Sequence, residues 1–84
     1  MPSIEIYSRA SCQFCYAAKR ILLMRGLSFE EISLDREPGR LEEMVERTGA
    51  RTVPQILIDG DSVGGFQDIS AMNEDGSLER LASE

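Results

Sequence analysis

Ile4-Glu5-Ile6-Tyr7, then Cys12-Gln13-Phe14-Cys15, then Tyr16 to Arg25: a strand-like run meets a helix-like run, with two thiols at the junction. The chain has no other cysteine. Thiols two residues apart can close a small disulfide and open it again. A helix starting at the first of them aims its free backbone N–H groups at that sulfur, which favours thiolate over thiol. The N-terminus shows no charged-then-apolar leader. In that setting the spacing reads as working redox chemistry rather than a structural staple.

Outward from this junction the pattern alternates between strand and helix. Ser3 to Tyr7 alternates like a strand, and Ser8 to Ser11 form a loop. Ala17, Ala18, Ile21 and Leu22 then recur at helical spacing until Gly26, which falls at a natural C′ position. Phe29 to Leu34 reads as a second strand. Pro38 opens a second helix with Leu41, Met44 and Val45 as its apolar stripe, ending near Gly49, and Glu43 and Arg47 sit at i and i+4. Gln55 to Ile58 is a third strand, Asp59-Gly60 a hairpin turn, and Asp61 to Gly64 the return strand. Asp68 to Glu74 suits a third helix with Asp68 as N-cap, and Leu78 and Leu81 a last helical turn after Gly76.

The order β-α-β-α-β-β-α predicts an α/β domain with one four-stranded mixed sheet flanked by helices. The first β-α-β is expected as a right-handed crossover between parallel strands. The cysteine pair then lies at the carboxyl end of a sheet strand, where open α/β sheets place their ligands. With 84 residues, no repeats and no long linker, the chain reads as one domain over 1–84.

Composition narrows the function. The net charge of −6 argues against nucleic acid and anionic membrane surfaces. No apolar run approaches a membrane span, and the cytoplasm is the expected location. Glu42, Glu43 and Glu46 read as a solvated face, as do the acids of the tail. Histidine is absent, which excludes a Cys–His pair and imidazole zinc sites; two cysteines alone make only half a zinc site. Activation of Cys12 must then come from the helix terminus and from cations such as Arg9. Cys12 is the candidate nucleophile, accepting from the N–H groups of Phe14 and Cys15, and the more buried Cys15 the resolving thiol. An inert buried pair is the alternative.

Tyr7-Ser8-Arg9 leading to CxxC, Thr52-Val53-Pro54, and Gly64-Gly65-Phe66-Gln67-Asp68 occur in the order and spacing of glutaredoxins. The resemblance covers essentially the whole chain and is to the short bacterial dithiol type of the thioredoxin-like fold. CxxC alone would also fit thioredoxins and the redoxins served by thioredoxin reductase, but the tryptophan-containing signature of the latter is missing, since the chain has no Trp. The resemblance implies a monomeric glutathione-disulfide oxidoreductase that reduces protein–glutathione mixed disulfides and protein disulfides through Cys12 and Cys15. Its partners would be glutathione, as reductant, and disulfide-bearing or glutathionylated proteins, with no tightly bound cofactor.

The same resemblance assigns a glutathione site. Arg9 would pair with the glycine carboxylate. Phe14, replacing the family's usual tyrosine, would wall the site beside Cys12. Val53 would pair its backbone with the cysteine of glutathione, with Thr52 shaping that edge, and Pro54 matches the family's cis-proline. Gly64 and Gly65 would let the ligand approach. Gln67 and Asp68 would offer helix N-terminal N–H groups to the γ-glutamyl carboxylate, the Asp68 side chain taking the ammonium. Two positions depart from the pattern. Gln13 replaces a proline that stiffens the turn, and family members lacking that proline include dimers holding a glutathione-ligated [2Fe–2S] cluster through the equivalent of Cys12. Leu41, with Arg40 beside it, stands where relatives carry a polar ligand contact on the second helix.

Overall fold

The computed structural model describes residues 2–83. Strand β1 (Ile4–Ser8) leads through the cysteine loop into helix α1 (Gln13–Met24), which returns the chain to β2 (Glu30–Ser33). A short 3₁₀ turn (Pro38–Arg40) opens α2 (Leu41–Thr48), followed by the hairpin β3 (Gln55–Ile58) and β4 (Asp61–Gly64). Helices α3 (Phe66–Glu74) and α4 (Ser77–Ala82) complete the chain. The four strands form one sheet in the order β2-β1-β3-β4. β1 runs parallel to β2 and antiparallel to β3, so the sheet is mixed as the sequence pattern predicts.

Alternation along β1 splits the core between the two faces of the sheet. Ile4 and Ile6 point to one face, where they join Ala18 and Leu22 of α1, Ile56 of β3, Ile69 of α3 and Leu78 of α4. Tyr7 points to the other, with Ile32, Leu34, Met44 of α2 and Leu57. Each of these side chains is buried, and full burial of one of the leucines, isoleucines or Met44 is worth roughly 1.5–3 kcal/mol. A strand covered on both sides leaves no solvent face for its polar residues. Glu5 therefore lies under α2, where Arg47 meets its carboxylate with two nitrogens, at 2.7 and 2.9 Å.

That contact corrects one expectation. Arg47 does not reach its helical neighbour Glu43 along the surface of α2; it turns inward to Glu5 and to the Tyr7 hydroxyl, 3.0 Å away. Glu43 is not part of a purely solvated face either, since it accepts from that hydroxyl and from Arg40. The result is a charged chain tying α2 to β1. Hydrogen bonding from Arg47 holds Glu5 below the usual carboxylate range, and Arg40 followed by Tyr7 does the same for Glu43. Burial, then the bond to Glu43, pushes the Tyr7 hydroxyl up.

Element ends follow local chemistry. Gly26 takes φ +73° after α1, and the N–H groups of Gly26 and Leu27 close on the carbonyls of Leu23 and Leu22 at 3.0 Å each. This is a Schellman ending, with Leu22 and Leu27 buried in the same apolar cluster beneath it. The second strand begins at Glu30, so Phe29 packs beside the core without joining the ladder. The last helical turn is a separate helix, α4, because Gly76 at φ +86° breaks the path from α3. The third helix starts at Phe66, not Asp68: Gly65 is its N-cap and offers no side chain, and Asp68, three residues on, accepts from the Gly65 N–H at 3.0 Å.

Candidate active site

Cys12 occupies the N-cap of α1 with extended backbone dihedrals, φ −94° and ψ 106°. Its sulfur accepts from the Cys15 N–H at 3.0 Å, so an orphan donor of the first helical turn points at it. The N–H of Phe14, expected as a second donor, makes no bond to this sulfur. The two cysteines are joined as a disulfide with Cα atoms 5.2 Å apart. Cys15 is 1 % exposed, whereas Cys12 is only partly covered. One sulfur meets solvent and the other backs it from within.

The loop before Cys12 is held from the far end of β2. The Ala10 N–H donates to Asp35 at 2.6 Å, and Arg9 lies 3.7 Å from the same carboxylate. On the other side the Cys12 sulfur sits 3.7 Å from the Val53 carbonyl oxygen. The Val53–Pro54 peptide is cis. Thr48 anchors the segment leading to it, donating to the Met44 carbonyl at 2.8 Å and accepting from the Ala50 N–H at 3.1 Å.

A cleft of about 410 Å³ opens beside Val53. Phe14, Thr52, Val53, Pro54, Gln67 and Asp68 all line it. The start of α3 reaches Pro54 because β4 carries a bulge: Leu57 pairs with Ser62 but Ile56 with Gly64, leaving Val63 as an extra residue. Gly65 then passes so close that a Cβ there would meet the Pro54 carbonyl oxygen at 3.1 Å. At Gly64, φ is +112° and an added Cβ would overlap the Asp68 carboxylate. The room that Gly64 leaves is taken by this protein's own side chain.

Arg9 does not line that cleft. With Cys12 it borders a second one, together with Tyr16, Lys19, Glu31 and Arg36 among others. Lys19 and the Ser8 hydroxyl, in that order, hold Glu31 below the usual carboxylate range, at 2.8 and 2.6 Å. Arg40 is occupied by Glu37 and Glu43, at 3.2 and 2.8 Å, and Arg51 approaches Glu42 at 3.6 Å. The sequence reading missed two lining residues of the first cleft, Phe66 and Gln55. Phe66 packs on Phe14 with ring centroids 5.2 Å apart. Its place at the first position of α3, inside the GGFQD segment, was the available signal. Gln55 is buried and donates to Thr52 at 3.5 Å, a contact with no sequence signature.

A thiol pair at this helix start, facing the cis-proline segment, invites comparison with known proteins. Residues 4–63 match the family model described as Glutaredoxin. This chain belongs to the glutaredoxin family. It is 41 % identical over 81 residues to Glutaredoxin 3 of Escherichia coli K12, covering 96 % of this chain and 98 % of that one. The solution structure of glutaredoxin from Brucella melitensis is 39 % identical and superposes with a TM-score of 0.79, over 95 % of this chain and 87 % of that one. The crystal structure of a buckwheat glutaredoxin–glutathione complex is 26 % identical, with a TM-score of 0.85 over 95 % of this chain and 76 % of that one. The thioredoxin-like fold and the order of its elements agree with these relatives. Glutaredoxins are thiol–disulfide oxidoreductases, and the chemistry here is of that general kind. No helix among the described residues is long and apolar enough to cross a membrane.

Proposed function

We propose that this glutaredoxin is a glutathione-dependent reductase of protein–glutathione mixed disulfides, and of protein disulfides, acting as a single domain. The observation that carries the reading is the position of the Cys12 sulfur, capped by α1 and 3.7 Å from the Val53 carbonyl at the lip of the first cleft. A glutathionyl group lying along Val53 would pair with that backbone as an added strand. Its γ-glutamyl carboxylate would meet the free N–H groups at the start of α3, at Gln67 and Asp68. One Asp68 oxygen already caps Gly65, which leaves the other for the ammonium. The buckwheat complex supports glutathione as the ligand class.

Arg9 would reach the glycine carboxylate from the second cleft, which Cys12 also borders. Its tie to Asp35 spans 3.7 Å between half-exposed groups, a pairing worth about 0–1 kcal/mol, so a ligand carboxylate competes with it readily.

In the first step the Cys12 thiolate attacks the glutathione sulfur of a mixed disulfide. The Cys12–glutathione bond forms, the protein–glutathione bond breaks, and the protein thiolate leaves and takes a proton from solvent. A second glutathione thiolate then attacks the glutathionyl sulfur, releasing oxidised glutathione and restoring the Cys12 thiolate. With a protein disulfide, Cys12 attacks one sulfur and Cys15 resolves the mixed species, which yields the Cys12–Cys15 disulfide and the reduced substrate.

Glutathione-coupled reduction of a small glutathionyl mixed disulfide tests this. Cys15→Ser should keep that activity, because the monothiol route needs only Cys12, and Cys12→Ser should abolish it. Loss of turnover in both variants would sink the division of labour.

The cluster-carrying alternative asks more than one chain can give. A [2Fe–2S] cluster takes four thiolate-type ligands, and this chain has two cysteines, one of them buried. A second chain and two external thiols would have to complete it. A colourless monomer after anaerobic purification, from a cytoplasmic fraction, is the expected outcome; a coloured dimer would contradict it.

A further inference from the structure

We propose that the outer face of α1, with Arg36 across the second cleft, docks an acidic segment of the protein substrate that also carries apolar side chains. The proposal rests on Cys12 as the attacking thiol, and names the kind of protein chain presented to it.

Cys12, Tyr16, Arg20 and Leu23 succeed one another at helical spacing, so they form a single line running away from the sulfur. Among the described residues, the exposed large apolar side chains are Phe14, Tyr16, Leu23 and Met24, all on α1. Phe14 turns to the first cleft. The other three are 62–77 % exposed and lie on the line or next to it. Such a strip, starting four residues from a reactive sulfur, fits a partner surface better than solvent.

Charge gives the partner its sign. α1 contains Lys19 and Arg20 and no acidic residue, on a chain of net charge −6. Most other cations are spent on carboxylates. Arg20 and Arg36 make no ion pair with any described carboxylate. Arg20 instead lies over the Tyr16 ring, 6.0 Å from its centroid, and Arg36 borders the second cleft. The acids of that cleft are occupied: Glu31 by Ser8 and Lys19, Asp35 by Ala10 and Arg9, Glu37 by Arg40. The charge left over for a ligand is therefore positive, although the cleft's formal count is balanced. Opposite potential across an interface steers encounter and discriminates between partners.

Three synthetic peptides of equal length test this, each with one glutathionylated cysteine and two leucines. Their remaining flanking residues are aspartate and glutamate, serine, or lysine. The wild-type kcat/KM, read by glutathione-coupled turnover, should favour the acidic over the lysine peptide by about tenfold at low salt, and less at about 0.5 M salt. The double variant R20E/R36E should remove or invert that preference, and the milder R20Q/R36Q should weaken it. Turnover of a small glutathionyl mixed disulfide should not change in either. Equal wild-type rates for the acidic and lysine peptides would overturn the proposal, as would a preference unmoved by both variants. Sedimentation of the protein with phosphatidylserine vesicles, lost in R20Q/R36Q, would also overturn it by assigning the face to a membrane. Failure of the wild type on the small mixed disulfide would instead overturn the reading of the site beneath it.

Discussion

Gly64→Ala is the substitution whose cost follows most directly from the geometry. Gly64 ends β4 with φ +112°, outside the left-handed well that other residues tolerate. Forcing an L-residue into such a region costs about 1–3 kcal/mol. The new Cβ would also overlap the Asp68 carboxylate, whose Cγ lies 2.6 Å from the added atom. Asp68 must swing away and release the Gly65 N–H, and losing a helix-start bond of this kind costs about 0.5–2 kcal/mol. The two effects together come to roughly 1.5–5 kcal/mol. That is a large share of the roughly 4–13 kcal/mol expected for a domain of this length. At about 4–8 °C per kcal/mol, the midpoint of thermal unfolding should fall by roughly 6–40 °C.

A double-mutant cycle separates the two effects. In an Asp68→Ala background no carboxylate remains to be displaced, so Gly64→Ala should cost only its backbone share. The coupling, read from urea unfolding of wild type, both single variants and the pair, should be about 0.5–2 kcal/mol. Equal cost in both backgrounds would refute the claim that Gly64 makes room for Asp68. A wild-type cost below about 1 kcal/mol would refute the backbone argument as well.

Other consequences are quicker to check. Glu5, Glu31 and Glu43 all sit below the usual carboxylate value of 4.5. The folded state thus binds fewer protons than the unfolded chain, and stability should be full above that value and fall as pH drops through the lowered ones. Arg47→Ala should cost about 1–2 kcal/mol at neutral pH, and the difference from wild type should shrink in acid as Glu5 protonates; a pH-independent difference would rule out the Glu5 contact as its source. Phe14→Ala should lower stability by no more than about 1 kcal/mol, since its ring is largely exposed against Phe66. It should raise KM for a small glutathionyl mixed disulfide with kcat nearly unchanged, and an unchanged KM would remove Phe14 from the binding surface.

How much of this was legible in the sequence depends on the distance over which each feature is decided. The start and end of α1 are local: Cys12 at the cap and Gly26 after the last turn can be read within a few residues of each. The hairpin at Asp59-Gly60 is local in the same way. Glu43 and Arg47 show where local reading stops. Helical spacing makes them neighbours, but β1 is covered on both faces, and the buried Tyr7 hydroxyl and Glu5 below α2 are stronger partners than an exposed neighbour. Nothing within β1 reveals that its second face is covered; that depends on α2 folding back over it from some forty residues away in sequence. Asp68 is a milder case. An acid near a helix start is legible, but whether it stands at the cap or three residues inside depends on where the β4 bulge releases the chain.

The division of the site residues is the part that only the third dimension supplies. A motif read along the chain lists Arg9, Cys12, Val53 and Asp68 as one set, with no indication of sides. Folded, Val53 and Asp68 line one cleft and Arg9 another; Cys12 borders the second, and its sulfur lies 3.7 Å from the Val53 carbonyl of the first. This arrangement suits a thiol that must hold two partners at once. A mixed disulfide has two arms, and in-line attack by a thiolate needs the departing arm directed away from the attacking sulfur. The first cleft is built from backbone and a helix start and the second from α1, Arg9 and Arg36, so the two arms of a mixed disulfide would meet largely different surfaces, sharing Arg9. Neither Arg20 nor Arg36 lines the first cleft, so a substitution there should change selectivity for the protein more than selectivity for the small thiol.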